Sequence, residues 1–342
     1  PDSGDGIGYT GFSGTSAAGS FSLTPQSGTV ASKTSTTGTG SFTTNTPGLY
    51  TITPAVASAT NSTLGTAATL TSTGSVTVNV LGHTAPQLSI GSGGGQTIIT
   101  GGTFSSITYT LSNPGSGVSP LQVGSLSNVS GATGAAAVAS GSSGTYTATS
   151  PSNTTVASGD VVVSLQAGDD QSYSGASGLQ TLGGTTSYTV LDHATPAFTT
   201  TLSSTLALNF GTVNIGDGVS PQTFFLTNLA ALAGSELTAS LDYLGTGADG
   251  SGFTLTGATF AALAAGGTSS QFSLSFTPTA SGTYTQSYTL SFQDGGGLSG
   301  GTSRGPLTVT GTVIVVPEPA TLALAAIGVL GVVRWVRRRR GA

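Results

Sequence analysis

Short stretches in which polar and apolar residues alternate recur along most of the chain. In residues 75–80 (SVTVNV), 106–111 (SITYTL) and 271–276 (QFSLSF), every second position is polar, mostly Ser or Thr, and the others are apolar. Because successive side chains of a strand point to opposite faces, this period predicts β-strands with one buried face. Gly-rich clusters separate the stretches, and 54 of the 342 residues are Gly. Since Gly, Ser and Thr are poor helix formers, the sequence predicts an all-β body.

Charged residues make up only 6% of the chain and are unevenly distributed. Residues 1–316 carry two basic residues against eleven acids, a net charge of −9, whereas residues 317–342 carry five Arg against one Glu, a net charge of +4. An acidic body cannot neutralise phosphates, which argues against a nucleic-acid partner. Without Cys, the chain has no disulfide scaffold, thiolate zinc site or cysteine nucleophile. Without Met, we expect Pro1 to follow a processed or truncated N-terminus, with any signal peptide upstream.

A hexapeptide repeat divides the body. Residues 81–86 (LGHTAP) recur as residues 191–196 (LDHATP), which places His83 and His193 110 residues apart. Each copy follows a predicted strand, and a third such strand at residues 306–313 ends the body. We therefore predict domains at residues 1–82, 83–192 and 193–315, the first truncated or divergent, and a tail at residues 316–342. A period near 110 residues is typical of tandem immunoglobulin-like β-sandwiches. The predicted architecture is therefore a series of such sandwiches followed by one short C-terminal transmembrane helix in the tail.

A Gly-x-Tyr-Thr element occurs once in each predicted domain, at Tyr50, Tyr146 and Tyr284. In immunoglobulin-like sandwiches, a Tyr near the start of the penultimate strand donates its hydroxyl to upstream backbone and fixes the corner between the sheets. The element therefore predicts three structural tyrosine corners. The alternative is that this tetrapeptide is simply common in a β protein rich in Tyr and Thr.

The third predicted domain resembles a known module. It contains residues 208–216 (LNFGTVNIG), 224–229 (FFLTNL), 272–278 (FSLSFTP) and 282–284 (GTY). This order resembles the choice-of-anchor D and related ASH-type modules of bacterial surface proteins, over residues 205–313. The resemblance implies a seven-stranded immunoglobulin-like sandwich. The second domain matches this order less well. Its residues 107–113 correspond to the segment at 224–229, which contains Thr-Asn, but it has no counterpart of the segment at 208–216, which contains Phe-Gly.

The C-terminal 26 residues contain a compact set of signals. A Pro-Glu-Pro triplet precedes an uncharged run of 14 residues, 320–333, which as a helix would span about 21 Å, less than the roughly 30 Å of a hydrocarbon core. Residues 320–336 reach further as a membrane segment if Arg334 extends to the headgroups and Trp335 lies at the interface. By the positive-inside rule, the four Arg that follow would hold this end in the cytoplasm and place the acidic body outside it. The simpler alternative is an ordinary C-terminal anchor.

This tail resembles the PEP-CTERM sorting signal of Gram-negative bacteria. The resemblance implies recognition by an exosortase, a membrane-bound transpeptidase-like enzyme, and delivery to the cell surface or the exopolysaccharide matrix. A chain that still has its tail would be a precursor in the inner membrane with its body outside the cytoplasm. The recognition triplet would be Pro317, Glu318 and Pro319, and the membrane stop cluster would be Arg334, Arg337, Arg338, Arg339 and Arg340.

The sequence offers no catalytic constellation, metal site or cofactor motif. We interpret His83 and His193 as linker or packing residues, because neither has metal-ligand spacing to a second ligand. The dipeptides at residues 169–170 (Asp-Asp) and 294–295 (Asp-Gly) are expected in hairpin turns, with surface calcium at interdomain Asp residues as an open alternative.

These features predict an exported, non-enzymatic structural protein whose partners are an exosortase, exopolysaccharide and other matrix proteins. The alternative is a surface adhesin or glycan-binding module, which would need an exposed aromatic platform, and most aromatic residues here fall at core positions of strands. Few charges protect the strand edges, so homo-assembly is a further expectation.

Overall fold

The computed structural model describes residues 6–15, 20–61, 67, 74–199, 202–229, 237–247 and 250–339. These residues form 25 strands and one helix. The first strand group comprises β1 (Ile7–Thr15), β2 (Ser20–Thr24), β3 (Gly28–Val30), β4 (Thr39–Thr43), β5 (Gly48–Asn61) and β6 (Val76–Val80). The second comprises β7 (Gln87–Ser92), β8 (Gln96–Ile99), β9 (Thr108–Ser112), β10 (Leu121–Ser127), β11 (Val129–Ser130), β12 (Gly134–Val138), β13 (Ser143–Ala148), β14 (Ala157–Asp169) and β15 (Gln180–Leu191). The third comprises β16 (Pro196–Phe198), β17 (Thr205–Asn214), β18 (Gln222–Phe224), β19 (Leu226–Asn228), β20 (Leu241–Thr246), β21 (Phe253–Thr256), β22 (Phe260–Leu263), β23 (Phe272–Phe276), β24 (Gly282–Asp294) and β25 (Ser303–Val316), and the helix is α1 (Pro319–Arg339).

By packing, the chain divides into two compact units. Unit 1 comprises Pro1–Ser92, Ile107–Thr149 and Val162–Thr185, and unit 2 comprises Gly93–Ser106, Ser150–Val161 and Thr186–Ala342. The breaks between strand groups fall at the repeated hexapeptides. The division into domains at residues 82, 192 and 315 stays a prediction.

The second and third strand groups share one strand order. The larger sheet of the second group runs β12-β10-β14-β15-β8, and that of the third runs β22-β20-β24-β25-β17. In both, the closing strand pairs in parallel with an early strand, β15 with β8 and β25 with β17. The first group forms the sheets β3-β1-β5-β6 and β2-β4. The prediction of an all-β chain of immunoglobulin-like sandwiches followed by a C-terminal helix is confirmed.

The core of the third group shows why the alternating pattern forms strands. Along β24, Tyr288, Leu290 and Phe292 are buried, while the Thr and Ser residues between them are exposed. The same alternation buries Leu307 and Val309 on β25. Each such side chain contributes about 1.5–3 kcal/mol by leaving water, so this face holds the sandwich together.

One buried polar residue recurs at the same place in the second and third groups. The Asn113 side-chain amide donates to the carbonyls of Ser119 (2.9 Å) and Val138 (3.4 Å). The Asn228 amide donates to the carbonyls of Ala239 (2.9 Å) and Leu263 (3.1 Å). Both Asn side chains are fully buried, and Asn228 Oδ1 also accepts from the Thr195 backbone N–H at 3.1 Å. Each Asn side chain thus joins the backbone of two separate segments of its strand group while its own polar atoms are buried.

We expect Asn228→Ala to destabilise the chain by about 3 kcal/mol, because it removes three hydrogen bonds made by a fully buried side chain. Urea unfolding of the full chain, followed by near-UV circular dichroism, measures this loss. Asn209→Ala is the matched control, since Asn209 is exposed and accepts one hydrogen bond, from Gly211 N. Equal midpoints for the two variants would contradict the assigned role.

The three predicted corner tyrosines do not occupy equivalent places. Tyr50 and Tyr284 lie near the start of β5 and β24, each next to the closing strand of its group, and each donates to a carbonyl four residues upstream, Thr46 (2.7 Å) and Ala280 (3.0 Å). Tyr146 instead lies within β13, in the smaller sheet of its group, and donates to Ala132 O at 2.7 Å. Tyr146 therefore does not lie near the start of the penultimate strand of its group, where the sequence predicted it. The structural role of all three stays a prediction.

The corner role is tested at Tyr50, whose side chain is almost fully buried. Tyr50→Phe keeps the ring and removes only the bond to Thr46, so we expect a loss of about 1 kcal/mol in the free energy of unfolding. Chemical denaturation measures it, with Tyr173→Phe as the control because Tyr173 is exposed. A loss no larger than that of the control would refute the corner.

Candidate functional site

Two buried carboxylates each accept hydrogen bonds from a linker histidine and from the residue after it. Asp169 is the last residue of β14, and its Oδ2 lies 2.5 Å from His83 Nδ1, while its Oδ1 accepts from the Thr84 N–H at 2.7 Å. Asp294, the last residue of β24, repeats this arrangement. Its Oδ2 lies 2.8 Å from His193 Nδ1, and its Oδ1 accepts from the Ala194 N–H at 2.8 Å.

A hydroxyl residue eight positions after each Asp completes the arrangement. Ser177 donates its N–H (2.8 Å) and its hydroxyl (2.7 Å) to Asp169 Oδ2. Thr302 donates its N–H (3.0 Å) and its hydroxyl (3.3 Å) to Asp294 Oδ2. We call each set of Asp, His and hydroxyl residue a carboxylate latch. Each latch ties the linker before a strand group to the last hairpin of that group.

The second latch has one additional cation. Arg304 Nε donates to the Ala194 carbonyl at 2.7 Å and lies 3.8 Å from Asp294 Oδ1. The residue ten positions after Asp169 is Leu179, so the first latch has no guanidinium there. The sequence placed the two His residues in linkers and the two Asp residues at hairpins, but it did not pair them. The one available signal was the Asp and hydroxyl residue eight positions apart, which is too common to stand out.

The latches shift the acidity of both carboxyls. Burial alone would raise the pKa of Asp169, but hydrogen bonds from His83, Thr84 and Ser177 outweigh it and hold the pKa well below its usual range. Burial likewise opposes ionisation of Asp294, yet the bonds from Thr302, His193 and Ala194, together with the nearby Arg304 charge, lower its pKa. Both latches therefore contain a carboxylate, not a carboxylic acid, at neutral pH.

These lowered pKa values predict acid sensitivity. In the unfolded chain the carboxyls take up protons near the ordinary Asp pKa of about 3.9, whereas in the folded chain they stay ionised to lower pH. The unfolded state binds more protons in that range, so stability is fully present above about pH 4 and falls as the pH drops further. Thermal unfolding midpoints measured from pH 7 to pH 2.5 test this.

A double variant isolates the latches. Asp169→Asn combined with Asp294→Asn should lower the midpoint at pH 7 and flatten its decline below about pH 4, because the titrating groups are gone. Asp217→Asn is the control, since Asp217 is exposed and accepts only from Asn214 among the described residues. An unchanged acid profile in the double variant would exclude the latches as the cause.

The sorting triplet spans the junction between the last strand and the helix, and its third residue is the first of the helix. Val316 ends β25, and its carbonyl accepts from the Ile215 N–H at 3.0 Å. Pro317 and the exposed Glu318 belong to neither element, and α1 begins at Pro319. Proline has no N–H to extend the ladder, so the strand stops here and the triplet joins sheet to helix.

The basic cluster lies at the end of α1. Arg337, Arg338 and Arg339 occupy its last turn, where positive charge is favoured by the helix dipole, and Arg334 lies one turn earlier. The Arg339 guanidinium lies 4.2 Å from the centre of the Trp335 ring, a cation–π contact. Arg340 lies outside the described residues.

The predicted helix is confirmed as a helix, and none of the helical residues described makes a segment both long and apolar enough to cross a membrane. Over the same described ranges, no group of three or more His, Asp or Glu side chains could hold a metal ion.

Comparison with known proteins identifies the tail. Residues 315–340 match the PEP-CTERM protein-sorting motif. The comparison with curated proteins found no match. Among solved structures, the chain is similar to the extracellular domain of protocadherin GammaB4 at 12% identity, covering 90% of this chain and 43% of that one, with a TM-score of 0.31.

Two bacterial structures are also similar. A protein of unknown function from Porphyromonas gingivalis is 10% identical over 66% of this chain and 99% of that one, with a TM-score of 0.23. The CFA/I adhesin CfaE of enterotoxigenic E. coli is 12% identical over 52% of this chain and 65% of that one, with a TM-score of 0.27. Such loose superpositions add nothing to the fold, which its own sheets define. The resemblance of the third domain to choice-of-anchor D modules stays a prediction, whereas the C-terminal motif implies an exported protein sorted by an exosortase.

Proposed function

We propose that this chain is a non-enzymatic structural protein of the bacterial cell surface or exopolysaccharide matrix, released through its C-terminal motif. The observation that carries the proposal is the match of residues 315–340 to the sorting motif, at the point where β25 ends and α1 begins. The exosortase would act on Pro317, Glu318 and Pro319. Residues 320–336 would hold the precursor in the inner membrane of a Gram-negative cell, with the Arg cluster in the cytoplasm.

The outer face of the third group suits a polysaccharide environment. On β24 and β25, Thr289 is paired with Thr308 and Ser287 with Thr310, and the last two hydroxyls lie 2.9 Å apart. Strands lie about 4.8 Å apart, and side chains on one face repeat at about 6.8 Å, so this face is an uncharged array of hydroxyl groups. Such groups exchange hydrogen bonds with sugars without an ionic preference.

Surface chemistry also bears on assembly and on the alternative function. The short strands β12 and β22 lie at the ends of their sheets, where their unpaired edges favour homo-assembly or contacts with other matrix proteins. The second candidate function, a surface adhesin or glycan-binding module, is favoured by Tyr173, an aromatic residue whose side chain the structure leaves half exposed. A glycan array and a pull-down on purified polysaccharide test this second candidate, because an adhesin selects a defined ligand, and such binding is compatible with export through the C-terminal motif.

Replacement of Pro317, Glu318 and Pro319 by Ala tests the sorting proposal. We expect the variant to remain in the inner-membrane fraction, because the enzyme no longer recognises the break between body and helix. Cell fractionation and immunoblotting in a host that has an exosortase measure release. The control is Pro221→Ala, an exposed proline outside the motif, which should be released normally. Normal release of the triple variant would refute the assignment of the triplet.

A further inference from the structure

A cleft of about 520 Å³ lies beside the first carboxylate latch, wholly within unit 1. Its lining residues include Phe42, Tyr173, Asn45, Asn79 and His83. Phe42 is held by Tyr50, since the two ring centres are 5.1 Å apart. A volume in this range accommodates a small ligand of several rings.

The cleft offers no free charge to a ligand. Among its described lining residues, only Asp169 and His83 can be charged near neutral pH, and the two are paired with each other. Both oxygens of Asp169 already accept hydrogen bonds, from Thr84, His83 and Ser177. The carboxylate is therefore already engaged, and the described lining residues include no Lys, Arg or second carboxylate for an ion pair, which favours a neutral, hydroxyl-rich ligand.

The loop that carries Tyr173 is held by its own hydrogen bonds. Asp170 Oδ1 accepts from the Ser172 N–H (3.0 Å) and hydroxyl (2.7 Å), and the Tyr173 N–H donates to Asp170 O at 3.1 Å. The Gln171 amide donates to Ser177 O at 2.6 Å. Although the backbone is tied down, 49% of Tyr173 is exposed. The ring is thus presented to solvent by an ordered loop, which reduces the entropy lost on binding.

The second latch shows that the scaffold alone does not require this tyrosine. Four residues after Asp294 stands Leu298, in a loop of mostly Gly residues, where four residues after Asp169 stands Tyr173. The two histidines differ as well, since 68% of the His83 side chain is exposed and only 27% of the His193 side chain. Tyr173 and the greater exposure of the His83 imidazole therefore distinguish the first latch from the second, and both residues line the cleft.

We propose that this cleft binds a neutral oligosaccharide. A sugar ring has an apolar C–H face, which packs on aromatic rings such as Phe42 and Tyr173, and an edge of hydroxyl groups, which exchange hydrogen bonds with amides. Asn45 and Asn79 supply such amides. The Asp169 carboxylate can only accept, so His83 Nδ1 carries a hydrogen and Nε2 is left for a sugar hydroxyl. The ligand class follows from the proposed matrix location, and the cleft assigns it a binding site.

The test uses the purified full chain on an array of neutral gluco-, manno- and galacto-oligosaccharides of about four to six units, with uronic-acid oligosaccharides of the same length alongside. Calorimetric titration of the best neutral glycan then compares variants. We expect Tyr173→Ala to bind about tenfold more weakly, Tyr173→Phe to bind nearly as well as the parent, and Leu298→Ala, the matched position of the second latch, to be unchanged. Thermal midpoints confirm that all three variants remain folded.

Several outcomes would overturn the proposal. They are no neutral glycan bound on the array, a preference for the uronic-acid series, or equal affinity for the parent and Tyr173→Ala. Occupation of the cleft by a second copy of the chain would also overturn it, and sedimentation would reveal this as dimerisation abolished by Tyr173→Ala. Asn79→Ala is an independent variant, expected to weaken binding through the lost amide. Failure here leaves release through the Pro-Glu-Pro triplet intact, and a failure of sorting leaves glycan binding by the purified chain intact.

Discussion

Burial of one face of each sheet is the interaction on which the rest of this structure depends. The chain has no disulfide and few ion pairs available to it, since it lacks Cys and only 6% of its residues are charged. Stability must come from alternate side chains such as Leu290 and Phe292 on β24 and Val309 on β25, which are removed from water as the sheets pack. The residues between them remain free to be Thr or Ser, and the exposed surface is therefore rich in hydroxyl groups.

The carboxylate latches are the main departure from this apolar interior. An ionised carboxylate in a buried place is costly unless several donors compensate it, and each latch supplies a histidine, two backbone N–H groups and a hydroxyl. The same compensation fixes geometry, because Asp169 and Asp294 can accept all these bonds only when linker and hairpin are in register. A buried charge thus orders the start of a strand group relative to its last hairpin.

The two latches differ in the residues that surround the carboxylate. In the second, Arg304 approaches the carboxylate and the neighbouring loop is mostly Gly. In the first, the corresponding loop carries Tyr173, and His83 stays exposed beside the cleft. The proposed binding site therefore lies at the elaborated copy of a repeated scaffold. Such a site fits a protein that the C-terminal motif directs to the exterior of the cell.

The sequence alone predicted much of this organisation. Period-two alternation predicted the strands, and the Pro-Glu-Pro triplet with its Arg cluster predicted the sorting tail. These features are local, and each depends only on residues near one another in the sequence.

Only the tertiary structure decided which distant residues meet. His83 and Asp169 are 86 residues apart, whereas His193 and Asp294 are 101 residues apart. Because the two separations differ, no sequence motif predicts either pair. Tyr146 resembles Tyr50 and Tyr284 in its local sequence, yet it lies in a different sheet, because strand pairing and not the tetrapeptide sets its place. The local sequence of Tyr173 does not distinguish it from the other tyrosines of this β protein. Its place in the loop after Asp169 is what leaves its side chain about half exposed. Local patterns thus determine the elements, whereas contacts across the fold determine the site, since those contacts depend on backbone geometry that no short stretch encodes.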